Sequence, residues 1–352
     1  MSSHIALLSR HITLCGLLAG LMFSPAALAT PHKQDVLLIT QFSDHHLALV
    51  TANAGVVHRI KVGRAPFGVV TAENNRAYVT TGEGLAIVDV KTRERLALLP
   101  YQTKLGGTSW GEYRDGGMGI AMSADGNTLA VGVNRSRATG VLEVYRTKPL
   151  RFVDSIEVGK RPFQVLFSHD GEKIFTLDHD SYSVTEYTIA TDTVKTHEVA
   201  PLGYAAFDKP HYAVMSADGL LWLPIQGRLL LGLNPNTGQH IQRALSANTH
   251  QHGIALDTTG KQIYIVGSGP AGSARGKAAL TRISLDGSDE QNLALTRQHE
   301  HVLLSTDGTT AYLTGGQSYT GGWNGISVID LSSGAITEID VPGQPLGIAL
   351  ML

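Results

Sequence analysis

One cysteine in 352 residues leaves no pair to form a disulfide framework, and that cysteine, Cys15, stands in the first few turns of chain. Charge is also scarce. Only 16% of the residues are Asp, Glu, Lys or Arg, and 28 basic against 30 acidic groups provide no surplus for neutralising a phosphate backbone, so nucleic-acid binding is excluded as the main task. Beyond the N-terminal segment no apolar run approaches the roughly 20 residues of a membrane helix. Glycine, by contrast, is abundant at 39 residues, and histidine is unusually frequent at 15.

The N-terminal segment reads as an export signal. Arg10 and His11 precede the apolar run from Ile12 to Phe23, and Ala27-Leu28-Ala29 supplies the small residues that a signal peptidase requires. Residues 1–29 are therefore expected to be removed, leaving residues 30–352 as one domain in the periplasm. Cys15, His4 and His11 would leave with the signal, so any metal chemistry of the mature chain must rest on imidazole and carboxylate.

The rest of the chain is a repeat. A short apolar strand, a turn rich in Asp, Asn and Gly, a second strand ending in small residues and two further strands recur about every 40 to 50 residues. The opening strands read Ala65-Pro66-Phe67-Gly68-Val69, Gly117-Met118-Gly119-Ile120, Arg161-Pro162-Phe163-Gln164-Val165, Lys209-Pro210-His211-Tyr212, His250-Gln251-His252-Gly253-Ile254 and His299-Glu300-His301-Val302. The C-terminal Pro345-Leu346-Gly347-Ile348-Ala349-Leu350 is an opening strand with nothing after it, and the chain from Val36 to Lys61 supplies three later strands with nothing before them. The repeat length and these matching ends predict an all-β fold, a seven-bladed β-propeller whose ring closes when the C-terminal inner strand joins the N-terminal strands in one blade.

Several phrases carry a family resemblance. Arg76-Ala77-Tyr78-Val79-Thr80-Thr81, Gly63-Arg64-Ala65-Pro66-Phe67-Gly68-Val69, Gly325-Ile326-Ser327-Val328-Ile329-Asp330-Leu331 and Val341-Pro342-Gly343-Gln344-Pro345-Leu346-Gly347 resemble the YVTN-type, lactonase-like propeller repeat. The resemblance implies the fold and leaves function open among lactonases, lyases, haem and copper proteins and metal chaperones. The export signal, histidine content and lack of cysteine also look like periplasmic zinc-chaperone propellers.

Aligning the inner strands gives a column of Phe67, Met118, Phe163, His211, His252, His301 and Leu346. Three consecutive blades place histidine at one level near the mouth of the channel. Two residues earlier stand His250 and His299, which strand alternation directs to the same side. Asp44, His45 and His46 occupy a loop on the same face, Glu300 adjoins His301, and Asp178-His179-Asp180 fills the corresponding loop of the fourth blade. Length variation is confined to this face, which makes it the expected binding face, and its loops also offer Trp110, Glu112, Tyr113, Arg114, Tyr319 and Trp323.

Imidazoles without thiolate suit zinc, with copper or nickel as the other candidates, and the open fourth position falls to water, Asp44 or Glu300. The sequence therefore predicts a monomeric metal carrier or chaperone that binds zinc through His211, His252 and His301, with a periplasmic metal-binding or transport protein as its partner. Two other readings stay open, a metal-dependent lyase or lactonase using the same residues, and a protein-interaction scaffold. No nucleophile constellation is recognised in the sequence.

Overall fold

A computed structural model describes residues 35–107, 111, 114–200, 209–225, 227, 229–249, 253–267, 278–316 and 322–351. Within them lie seven four-stranded antiparallel sheets, the blades of a β-propeller. Blade 1 runs from inside outward as Pro345–Leu350, Val36–Gln41, His46–Thr51 and Gly55–Lys61, and blade 2 begins at Val69–Ala72. The inner strands of blades 3 to 7 are Gly116–Met122, Pro162–Phe167, Val214–Met215, Ile254–Leu256 and His301–Leu304. The closure read from the two ends is present, with Leu37 opposite Leu350, Leu38 opposite Ala349 and Ile39 opposite Ile348.

Burial follows from stacking sheets around a ring. Middle strands are covered on both faces, so Thr128–Asn134 is buried throughout, whereas the outermost strand Glu94–Leu99 has three exposed residues and three partly buried ones. Tight turns join the first and second strands on one face, called here the turn face. In four of them a serine hydroxyl donates to the aspartate two residues later, as Ser123 does to Asp125 at 2.5 Å and Ser305 to Asp307 at 2.6 Å. The following glycine has positive φ, +66° at Gly126 and +70° at Gly308, which explains the recurrent Asp-Gly.

The Thr of the repeated phrase is a clamp between blades. Thr40 in blade 1 donates from Oγ1 to the carbonyl of Phe67 at 2.8 Å, Thr80 in blade 2 to Met118 at 2.7 Å, and Thr314 in blade 7 to Leu346 at 2.9 Å. All three threonines are fully buried. Thr80 Oγ1 also accepts from the Gly68 amide at 2.8 Å, so Thr80→Val would strand a donor and an acceptor at once. We expect it to cost about 2 kcal/mol in urea unfolding with an unchanged slope, whereas the exposed Thr193→Val should stay within about 0.5 kcal/mol.

Candidate functional site

The chain enters each inner strand on the face opposite the tight turns, the loop face, and the column residues lie just below it. Phe67, Met118, Phe163 and Leu346 belong to one buried apolar cluster that also contains Tyr212. The Phe67 and Phe163 rings meet edge to face at 5.0 Å, and the His211 ring stacks on Phe163 at 4.5 Å with 9° between planes. The column is therefore a packed layer. Tyr212 stands between the two described column histidines, 6.3 Å from the ring of His211 and 4.7 Å from that of His301.

The other residues singled out from the sequence are engaged separately. His45 Nδ1 accepts from the Ala65 amide at 3.0 Å, a bond between blades 1 and 2, and His46 Nδ1 lies 2.5 Å from the Asp44 carbonyl. Asp44 pairs with Arg59 at 2.6 Å. His299 turns into its own blade, with Nε2 2.8 Å from Ser327 Oγ, and so does not share a direction with His301. Glu300 is buried and accepts from the Tyr212 hydroxyl at 3.4 Å. Burial pushes His301 down to about 4, against the opposing charge of Glu300. No group of three His, Cys, Asp or Glu among the described residues is arranged to hold a metal ion, while His250 and His252 lie outside those residues.

A tighter constellation lies at the loop-face end of blade 4. His179 Nδ1 is 2.8 Å from Asp180 Oδ1, which also accepts from Lys209 Nζ at 2.9 Å. Arg161, only 2% exposed, comes within 3.7 Å of Asp180 and 3.3 Å of His179 Nδ1. Nδ1 cannot both donate to Asp180 and accept from Arg161, and the shorter, charge-assisted contact assigns its proton toward the carboxylate. The His211 ring stacks on His179 at 4.3 Å. Burial, outweighing the attraction of Asp180, pushes His179 down to about 4 and keeps it neutral at pH 7. Burial would raise Asp180, but its hydrogen bond from His179 and the charges of Arg161 and Lys209 hold it well below the usual carboxylate range. The result is a neutral imidazole oriented by an ionised carboxylate, with Nε2 making no hydrogen bond to a described residue. Such a pair can accept a proton from water.

The sequence places Asp178, His179 and Asp180 in this loop but does not single out Arg161 or Lys209. A signal existed. Arg161 occupies the slot held by Ala65, Gly116 and Gln344 in blades 2, 3 and 1, and all four have positive φ, between +48° and +106°. Of the seven inner-strand slots only this one and the next, Lys209 of blade 5, carry a long basic side chain, and both reach Asp180. Asp178 has a different fate: it is fully buried between the hydroxyls of Thr176 at 2.8 Å and Thr185 at 2.5 Å. Burial pushes it up to about 7, against the Thr185 and Thr176 hydrogen bonds. Its folded state then binds more protons than the unfolded chain between about pH 4 and 7, so its contribution to stability declines as pH rises through that window. Asp178→Asn is expected to flatten that decline, raising the melting temperature at pH 8 relative to wild type but not at pH 4.

Of the loop residues named from the sequence, Trp110, Glu112, Tyr113 and Tyr319 lie outside the described residues. Arg114 is buried, and Trp323 packs under Arg297 at 4.8 Å from its guanidinium. The sequence does hold one phrase with the spacing of a serine-nucleophile elbow, Gly107-Thr108-Ser109-Trp110-Gly111. It joins two β-blades rather than a strand to a helix, the context that motif requires, and Ser109 lies outside the described residues.

No family model matches the chain, and no curated protein matches it. Solved structures do. A protein of unknown function from Desulfotomaculum acetoxidans superposes with a TM-score of 0.69 at 11% identity, over 90% of this chain and 98% of that one. A Bacteroides fragilis protein provisionally assigned as a 6-phosphogluconolactonase gives 0.62 at 14% identity, over 92% and 99%. The Pseudomonas aeruginosa periplasmic gluconolactonase gives 0.60 at 13% identity, over 91% and 99%. At these identities the likeness establishes the propeller fold, and the similar structures include lactonase-like propellers. No helix among the described residues is long and apolar enough to cross a membrane.

Proposed function

We propose that this protein is an exported lactone hydrolase whose general base is His179, oriented by Asp180 on the loop face. The observation that carries this reading is the 2.8 Å contact between His179 Nδ1 and Asp180, buttressed by Lys209 and Arg161. The lactonase-like structures among those of similar fold support it, and the signal-like segment ending at Ala29 supports export. In the proposed reaction His179 Nε2 takes a proton from water as the oxygen attacks the lactone carbonyl. The ring C–O bond then breaks, and the departing alkoxide recovers the proton from Nε2, giving an open hydroxy acid. Arg161 and Lys209 keep Asp180 ionised throughout, which holds the imidazole in the required tautomer.

Acid release from glucono-δ-lactone, and from its 6-phosphate in a parallel arm, tests the proposal. Wild type should exceed the spontaneous rate, and His179→Ala should not. The metal-carrier reading makes a separate demand: tag-free protein would hold stoichiometric zinc, lost in a His211→Ala, His252→Ala, His301→Ala triple variant. Bound zinc without turnover would displace the hydrolase in favour of the carrier.

A further inference from the structure

Below the aromatic layer the central channel is hollow. A cavity of about 460 Å³ extends from Phe67, Phe163, Tyr212 and His301 to the turn-face ends of the inner strands at Thr71, Met122 and Leu350. Its volume lies within the range of small-molecule sites. The layer closes it toward the loop face, because the Phe67, Phe163 and His211 rings pack against one another across the channel. It is thus separate from the His179 and Asp180 pair and opens on the other side of the disc.

The chemistry of the lining is selective. Among the described residues no Asp, Glu, Lys or Arg lines it, so a charged ligand would lose its hydration with no opposite charge to replace it. The walls are mainly Val, Ile, Leu, Ala, Gly and Met from the inner strands, with Gln164 and Thr71 as the polar side chains along them, and the closed end is aromatic. There the edge-to-face pair of Tyr212 and His301 at 4.7 Å presents ring faces and edges to an incoming planar group. His301 also brings hydrogen-bonding capacity, since it lines the cavity and its buried Nδ1 has no hydrogen-bond partner among the described residues. We infer that the channel is a second ligand site, for a small neutral aromatic molecule bearing one hydroxyl, with the ring against Phe67, Phe163 and Tyr212 and the hydroxyl toward His301.

Fluorescence titration of the full chain with 2-naphthol, beside the anion 2-naphthoate, tests this. One equivalent of 2-naphthol should bind, and 2-naphthoate should bind at least about tenfold more weakly at pH 7. Ala121→Trp fills the cavity from its wall and should abolish binding while lactone turnover is kept, and Ala349→Trp does the same from the opposite wall should the first variant fail to fold. His301→Phe should retain the ring contacts and weaken 2-naphthol about tenfold, bringing it level with naphthalene. Absence of 2-naphthol binding by wild type, equal affinity for the anion, or binding untouched in a folded filled-channel variant would each overturn the assignment. Because turnover is read separately, a failure here leaves the hydrolase proposal standing, and the converse also holds.

Discussion

Replacing His179 with alanine is expected to lower catalysed lactone hydrolysis about 10²- to 10⁴-fold, the usual contribution of a positioned general base. The loss should fall on kcat, since the imidazole touches the attacking water rather than the body of the substrate. Asp180→Asn should be nearly as damaging for a different reason. An amide at Asp180 can offer an N–H to Nδ1, reversing the tautomer and turning Nε2 into a donor that cannot accept from water. Urea unfolding of both variants accompanies the kinetics, because His179 stacks on the His211 ring and Asp180 compensates the buried Arg161. The pH profile supplies a second readout. With His179 pushed down to about 4 by burial, wild-type kcat/KM should hold from neutral pH to about pH 5 and then fall through an apparent pKa near 4. A base with an ordinary histidine pKa would instead lose activity from about 6.5.

The second large effect concerns stability. Arg114 is 1% exposed and spans two blades, donating Nε and Nη2 to the Ala65 carbonyl at 2.9 and 2.6 Å, Nη2 to Gly117 at 2.9 Å and Nη1 to Asp115 at 3.1 Å. Its own carbonyl accepts from Asn134 at 2.8 Å. Burial pushes the guanidinium down to about 10, so part of what these bonds contribute is offset by desolvation of the charge. Arg114→Met keeps the stem and removes every donor, leaving three buried carbonyls poorly satisfied. We expect a loss of about 2–4 kcal/mol in urea unfolding, well beyond Thr80→Val. Arg114→Lys should recover little, because one ammonium cannot reproduce the planar fork that serves carbonyls in two blades.

The fold was legible because its determinants are local and repeated. Alternating apolar strands, Asp-Gly turns and a terminal strand with no successors fix seven blades and their closure, and the clamp threonines Thr40, Thr80 and Thr314 sit inside the phrases that carry the family resemblance. The site was less legible. Aligning inner strands gives the height of a side chain in the channel but not its direction. Strand alternation predicted that His299 would follow His301, yet His299 bonds to Ser327 inside the blade. The slot two residues before the column is left-handed at Ala65, Gly116, Arg161 and Gln344, which breaks the two-residue rule in four blades. His211 and His301 do reach the same layer, but Tyr212, a residue with no special mark in the sequence, stands between them. Beyond the adjacent Asp180, the contacts that build the His179 environment include residues 18 and 32 positions away, linking Arg161 and His211 to one loop. No spacing motif records such a contact; only the folded ring brings it about.

The most direct test of the account is the rate of hydroxy-acid formation from glucono-δ-lactone at pH 6, where spontaneous opening is slow, compared between wild type and His179→Ala after removal of free metal by chelation. The wild type should accelerate the reaction clearly and insensitively to the chelator, and the variant should fall at least about 10²-fold. Equal rates for the two proteins would contradict it.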